Sequence, residues 1–247
     1  MNRTLTLTSR NLKEMSRDPI SLIFCIGLPL VLLVFMQLIF GNVKEDGAIM
    51  FEINRFAPAI ANFGYTFVML YVSLIISGDK DSAFANRISI SPVKPIEYLI
   101  SFILSTLPVA LIQTILFYAV ALIFGFKLSW YILLSVLLLL IPAIFYCTCG
   151  ILVGVIGKNE KQCGPICSLF ITASGMLGGI WMPIEVMGGT FFEICKVLPF
   201  YNGVKIGTLA CAGKLSSIII PLLWVMGYAI VVFIIATLIY NKGKKSK

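Results

Sequence analysis

The sequence predicts an all-α integral membrane protein with six transmembrane helices and both termini in the cytoplasm. Of its 247 residues, 59% are hydrophobic and only 12% are charged, whereas soluble domains have about 25% charged residues. The apolar residues form long runs, and the basic residues concentrate in alternate loops. This composition excludes an ordinary soluble domain and a disordered chain.

Six apolar runs are each long enough to cross a bilayer, which takes about 20 helical residues. Hydrophobicity does not alternate at period two, so a β-barrel is disfavoured. One membrane domain over residues 1–247 accounts for the whole length and leaves no room for a soluble enzyme domain. The predicted spans are Ile20–Phe40, Ala57–Gly78, Tyr98–Phe124, Trp130–Ile156, Pro165–Pro183 and Ser217–Tyr240.

The distribution of Lys and Arg predicts the orientation. Thirteen of the 19 basic residues lie in the N-terminal segment, the loops after spans two and four, and the C-terminal tail. Because basic residues favour the cytoplasmic side, both termini are expected there. Aromatic residues agree, with Trp130 and Trp181 at predicted outer edges and Tyr98 and Tyr240 at inner ones.

Residues 1–19 predict an amphipathic elbow helix ahead of the first span. Leu5, Leu12 and Met15 recur at helical spacing, and Asp18-Pro19 turns the chain into the membrane. Two interpretations stay open: a simple basic membrane anchor, and a helix that also contacts a cytoplasmic partner. Besides Arg3, the segment carries three basic residues that are candidates for such a contact: Arg10, Lys13 and Arg17.

No charged residue lies in the middle of a predicted span, and the chain contains no histidine. Gradient-driven transporters usually keep ionisable residues along their route, and enzymes need an activated nucleophile or acid–base group. The sequence therefore argues against an ion-coupled carrier, a charge-selective channel and an enzyme, and no metal site is predicted. Three large polar side chains in or near spans are candidates for interhelical hydrogen bonds or for the substrate pathway: Gln37, Asn62 and Gln113.

Small residues indicate close packing of helices. Two Gly-x-x-x-Gly patterns, which begin at Gly150 and Gly175, predict close helix approach. The seven cysteines are an odd count and are expected mainly to fill space between helices. Cys195 and Cys211 share the predicted outer side, where a disulfide and two free thiols both stay open.

The chain shows no nucleotide site of its own. In the best P-loop candidate, Gly213-Lys214-Leu215, Leu215 replaces the required Ser or Thr and Thr208 stands where the first Gly should be. No cofactor is therefore expected on this chain, and any ATPase has to be a separate polypeptide.

The loop after the second span carries a family resemblance. A charged amphipathic turn begins with Asp79-Lys80-Asp81, and Ser91-Pro92-Val93, Pro95 and Glu97-Tyr98 follow it. This order resembles permeases of the type-2 ABC exporter family, in which a Pro-Val precedes an acidic-Tyr pair that opens the third span. Asp79-Lys80-Asp81 occupies the place of that family's usual Glu-Arg pair.

A second match lies between spans five and six. Residues 178–185 and 198–203 look like the family's re-entrant extracytoplasmic segment, with Gly188-Gly189 in place of its usual Pro. Arg17-Asp18-Pro19 also resembles the family's start of span one. The resemblance implies an extracytoplasmic loop over 184–214 that re-enters the membrane.

The resemblance implies a half-transporter. Two permease subunits, identical or homologous, would form the pathway in the lipid membrane, and two ABC ATPase subunits would hold ATP and Mg. No nucleic-acid partner is expected. The loop over 79–95 would couple the permease to the ATPase, through Asp79, Lys80, Asp81, Phe84, Arg87 and Ile88.

The sequence is thus interpreted as the permease subunit of an ATP-driven exporter in a bacterial plasma membrane. The apolar spans predict an amphipathic or hydrophobic substrate, such as a drug, an antimicrobial peptide or a lipid-linked compound. Two alternatives stay open: an ATP-independent carrier or channel for neutral solutes, and a membrane sensor or immunity subunit that does not transport.

Overall fold

The structure, a computed structural model, describes residues 3–41, 51–80, 82, 84, 87–88, 91–182, 184 and 188–245. Within these ranges the regular elements are helices and none is a strand, which confirms the all-α prediction there. A short 3₁₀ helix, Leu215–Ser217, precedes the last element. The α-helices are α1 (Arg3–Arg17), α2 (Pro19–Phe40), α3 (Ile53–Lys80), α4 (Pro95–Ile123), α5 (Tyr131–Leu138), α6 (Leu140–Ile156), α7 (Glu160–Leu177), α8 (Gly189–Val197), α9 (Pro199–Cys211) and α10 (Ile219–Lys245).

Five segments of the described chain are long and apolar enough to cross a membrane: α2, α3, α4, α5 with α6, and Leu215–Gly243. They contain predicted spans one to four and six. The fifth predicted run falls on α7, which begins with Glu160, Lys161 and Gln162 and ends at Leu177, before Pro183. This polar first turn lowers the apolar character of α7, so the fifth predicted span, and with it the total of six, stays a prediction, as does the orientation.

Helix α3 is the centre of the bundle. It packs against α2, α4, α6, α7 and α9, and 78% of its most apolar stretch is buried, compared with 22% in both α2 and α10. Helix α2 buries only a stripe at four-residue spacing, formed by Cys25, Pro29, Leu33 and Gln37. Because their remaining faces are apolar and exposed, α2 and α10 present surfaces suited to lipid or to another apolar helix.

The N-terminal segment forms a helix, whereas its role as a membrane elbow stays a prediction. Helix α1 ends at Arg17, and α2 begins at Pro19, where the Asp18 carboxylate accepts a hydrogen bond from the Ser21 backbone N–H (3.1 Å). This N-cap satisfies a donor that the first turn would otherwise leave free. It also lowers the pKa of Asp18 through the hydrogen bonds with Ser21.

The fourth predicted span is broken between α5 and α6. Pro142 lacks the N–H that would bond to the Leu138 carbonyl, and its ring crowds that carbonyl. The helix accordingly stops at Leu138 and resumes at Leu140.

Glycines allow α6 to approach α3 closely. A Cβ on Gly150 would collide with the Met69 carbonyl, and one on Gly154 would lie 2.8 Å from the Ile76 side chain. The first Gly-x-x-x-Gly prediction is therefore confirmed. The second is wrong, because Gly175 makes room for the indole of Trp181 and Gly179, at φ +71°, lies in a turn.

The segment before α10 folds back into the bundle. Helix α8 starts at two glycines with positive φ, its N-cap Gly188 and its first residue Gly189, and α9 packs on α3, α5 and α10. Most of α9 is buried, as expected for the predicted re-entrant segment. Pro183 and Glu185 of that motif lie outside the described residues.

Candidate coupling site at the C-terminal end of helix α3

The carboxylate of Asp79 is buried inside the chain, with 7% of its side chain exposed. Arg10 binds it with two hydrogen bonds, Nη1 to Oδ2 at 2.9 Å and Nη2 to Oδ1 at 2.7 Å. The hydroxyl of Tyr98 donates a third hydrogen bond to Oδ2 at 2.9 Å. Bidentate guanidinium–carboxylate pairs are among the strongest and most directional hydrogen-bonded contacts in proteins. The pair therefore fixes α1 against the end of α3 and the start of α4.

Neighbouring side chains extend this contact. Asn11 Nδ2 donates to Ser101 Oγ (3.0 Å), which adds a second polar link between α1 and α4. The Arg10 guanidinium lies 3.8 Å from the centre of the Phe84 ring, and Tyr98 stacks on Tyr240 of α10 at 5.4 Å between ring centres. We call Arg10, Asn11, Phe84, Asp79, Tyr98, Ser101 and Tyr240 the Asp79 cluster.

Electrostatics keep Arg10 charged. Burial opposes its charged form, but the hydrogen bonds and charge of Asp79 outweigh burial and raise the pKa of Arg10. Glu14 also pairs with Arg10, at 2.9 Å. Burial raises the pKa of Glu14, and the attraction of Arg10 offsets only part of that effect.

Lys80 ties the same turn of α3 to the end of α6. Its Nζ donates to the carbonyls of Val155 (2.5 Å) and Gly157 (2.7 Å), at the end of α6. A cation at a helix C-terminus is favourable because the last carbonyls carry partial negative charge. A Cβ on Gly78 would lie 2.6 Å from the Glu160 carboxylate, at the start of α7.

Two sets of contacts thus hold the final turn of α3: Asp79 links it to α1 and α4, and Lys80 links it to α6. An open cleft of about 650 Å³ lies beside it, lined among others by Arg10, Glu14, Tyr71, Asp79 and Glu160.

The sequence-predicted coupling residues occupy different environments. Phe84 is half-buried beneath Arg10, Ile88 is buried in the core, and Arg87 is exposed. Asp81 lies outside the described residues. The prediction that Asp79 and Lys80 address a partner stays a prediction, and their side chains bond within the chain.

The remaining elbow residues lie on the outer face of α1, where Lys13 and Arg17 are exposed. The contacts of Arg10 with Asp79 and of Tyr98 with Tyr240 are not apparent from the sequence. A partial signal existed, because both tyrosines were placed at the same predicted membrane edge.

The three pathway candidates are all buried, but they do not converge. Gln37 Nε2 donates to the Phe51 carbonyl (2.7 Å), and Gln113 Nε2 to the Cys25 carbonyl (3.4 Å). A Cβ on Gly64 would meet Gln113, whereas Asn62 borders Gly203 of α9. Residues two apart on a helix lie about 200° apart. Gln113 of α4 therefore contacts the face of α3 opposite the one from which Asn62 projects.

All seven cysteines are free thiols in the structure, so Cys195 and Cys211 form no disulfide there. Cys195 is buried, and Cys211 Sγ lies 3.6 Å from the Tyr118 hydroxyl. Among the described residues, no group of three or more His, Cys, Asp or Glu is placed to hold a metal ion.

Comparison with known proteins gives one finding. A family model described as ABC-2 type transporter matches residues 2–208, from α1 into α9. No curated protein matches the chain.

Proposed function

The chain belongs to the ABC-2 type transporter family, and from that premise we propose that it is the membrane subunit of an ATP-driven exporter. Members of this family are multi-pass permease subunits of ABC transporters and do not themselves hydrolyse ATP. The proposed assembly contains two ABC ATPase subunits, which would bind ATP and Mg, and a second permease, identical or homologous.

The observation that carries the proposal is the Asp79 cluster together with Lys80. Transmission of work from an ATPase requires a short, rigid element that two arrangements of the transporter share. The last turn of α3 meets this requirement, because hydrogen bonds hold it to α1 and α4 through Asp79 and to α6 through Lys80.

Within this proposal, the residues divide into two roles. Asp79, Lys80, Arg10 and Phe84 are positioning residues that hold the 79–95 loop. The exposed side chain of Arg87 would contact the ATPase directly, and Lys13 and Arg17 would lie toward it or toward lipid headgroups. Charged rim contacts of this kind set register and association rate more than affinity.

An amphipathic or hydrophobic substrate fits the apolar exposed faces of α2 and α10. A drug-like compound, an antimicrobial peptide and a lipid-linked compound share this chemistry. The bacterial plasma membrane is the usual location of the family.

The test is reconstitution. The tagged chain is purified from its native membrane in mild detergent together with any ATPase that stays bound. The complex is placed in liposomes, and uptake of three fluorescent probes is measured with and without ATP: a hydrophobic dye, a labelled amphipathic peptide and a labelled lipid. We expect ATP-dependent accumulation of at least one probe.

Two surface variants locate the contact. Arg87→Glu is expected to lower ATPase association at least tenfold, since it reverses a charge in the loop that follows α3. Lys127→Glu, an exposed charge in the α4–α5 loop, is the matched control and is expected to leave association unchanged. Probe uptake without ATPase would instead support a carrier or channel, and ATP hydrolysis with no probe moved would support a sensor or immunity subunit.

A further inference from the structure

The side chain of Asn62 is buried at the meeting of α3, α6 and α9. It has no exposed surface, and neither its Nδ2 nor its Oδ1 finds a hydrogen-bond partner among the residues that the structure describes. The Tyr146 hydroxyl pairs with Ser174 Oγ at 2.5 Å and lies beside the Asn62 amide, but it makes no hydrogen bond of good geometry to that amide. The Asn62 amide is therefore left with its hydrogen-bonding capacity unused.

Helix α9 closes over this amide. A Cβ on Gly203 would lie 2.6 Å from Asn62 Oδ1, and a Cβ on Gly207 would lie 2.9 Å from the Pro58 ring. Both contacts step by four residues, so α9 runs antiparallel to α3 with its glycine face against it. The absence of side chains on this face lets the two helices touch and excludes other groups from Asn62.

An amide without partners is unfavourable in an apolar interior, because it has lost water and gained nothing in exchange. Asn202, at the start of α9, shows how a buried amide is ordinarily satisfied. Its Nδ2 donates to the carbonyls of Lys196 (2.7 Å) and Leu198 (2.8 Å). A leucine would fit the environment of Asn62 better than an asparagine does, so the amide is not explained by the packing of this conformation.

We propose that Asn62 is a substrate-binding residue of a site that α9 closes in this structure and uncovers when it moves away from α3. The inference rests on the proposed function and names one of its contacts. Its ligand would be a neutral group that both donates and accepts hydrogen bonds, such as an amide or a hydroxyl. Residues 56–78 of α3 and the whole of α6 contain no Asp, Glu, Lys or Arg. Lys205 of α9 is two residues from both Gly203 and Gly207 and therefore lies on the opposite face of that helix, so a charged group would find no counter-ion at Asn62.

The first experiment measures how the unpaired amide of Asn62 affects thermal stability. Unfolding of the purified chain in detergent is followed with a thiol-reactive fluorophore, since six of the seven cysteines are buried and become reactive on unfolding. Asn62→Leu is expected to raise the unfolding midpoint by about 2–4 °C. The matched control Asn202→Leu, which removes two hydrogen bonds, is expected to lower it by a similar amount. A lower midpoint for Asn62→Leu would overturn the inference.

The second experiment detects the opening. Asn62→Cys is reconstituted with the ATPase and treated with N-ethylmaleimide with and without ATP, and labelling of each cysteine is quantified by mass spectrometry. We expect residue 62 to react at least tenfold faster during ATP hydrolysis, whereas the buried Cys147 and Cys149 of α6 serve as internal controls and stay unreactive. Equal labelling with and without ATP in an active complex overturns the inference alone. Failure of the chain to bind any ATPase overturns the proposed function, and this inference with it.

Discussion

Helix α3 carries two buried polar side chains, Asp79 and Asn62, which differ in how far their hydrogen-bonding groups are satisfied. At its last turn, Asp79 is charged and its carboxylate is bonded by Arg10 and Tyr98. About five turns earlier, Asn62 is neutral and finds no partner within the described chain. The fully paired site can only hold its helices in place, whereas the unpaired site retains the capacity to bind something else. Buried polarity thus serves rigidity at one end of α3 and, on our proposal, recognition in the middle.

The largest expected effect on stability comes from removing the paired carboxylate of Asp79. Asp79→Ala should lower the free energy of unfolding by about 3 kcal/mol, because it leaves the Arg10 charge without its carboxylate. This value is the lower end for buried pairs, since Arg10 is 29% exposed. The shift is measured by thermal unfolding. Glu193→Ala, which removes the exposed pair with Lys196, is the control and should leave the midpoint unchanged.

Replacing both partners separates stability from coupling. Arg10→Met with Asp79→Leu should recover most of the lost stability, because both charges of the buried pair are removed together and only the part-exposed Glu14 loses a partner, yet ATP-driven uptake should stay low. A double variant that transports normally would show that the pair is only structural.

The next largest effect on stability is expected at the contact between Gly203 of α9 and Asn62. Gly203→Ala should destabilise the chain by about 2 kcal/mol, because the added Cβ collides with Asn62. Adding Asn62→Ala should return part of this loss, and a double-mutant cycle measures the coupling. Gly227→Ala, where a Cβ meets no atom within 4 Å, is the control. Strictly additive effects would mean that α9 and Asn62 do not touch.

Lys80→Met tests the contact between α3 and α6 and is expected to have a smaller effect on stability. It should lower the unfolding free energy by about 1 kcal/mol, since the carbonyls of Val155 and Gly157 lose a charged donor. Lys80→Arg should retain part of that stability. If Lys80→Met unfolds at the wild-type midpoint, α6 is held to α3 by its glycine packing alone.

The smallest effect lies between the two sites. Gln113 has one long hydrogen bond, 3.4 Å to the Cys25 carbonyl, and one unpaired oxygen. Gln113→Leu should therefore change the unfolding free energy by less than about 0.5 kcal/mol. A loss as large as that of Asn202→Leu would place Gln113 among the fully paired groups.

The apolar runs sufficed to predict where α2, α3 and α4 lie, because a span of about 20 apolar residues has few alternatives. The pairing of Arg10 with Asp79 could not be predicted, since 69 residues separate them and charges beside spans are normally solvated. Gly203 and Gly207 form a third Gly-x-x-x-Gly pattern, but its partner helix is set by how far α9 folds back. The unpaired state of Asn62 depends on that same tertiary contact.

Tyr240 connects α10 to the Asp79 cluster. The family match ends at residue 208, yet the Tyr240 ring covers Tyr98, and Val225, Ala229 and Ala236 of α10 are buried. The limit of the recognisable family sequence is therefore not a place where the chain can be cut. A truncation there would strip the hydroxyl donor of Asp79 of its stacking partner, so engineered fusions belong after Lys245, where the last helix ends.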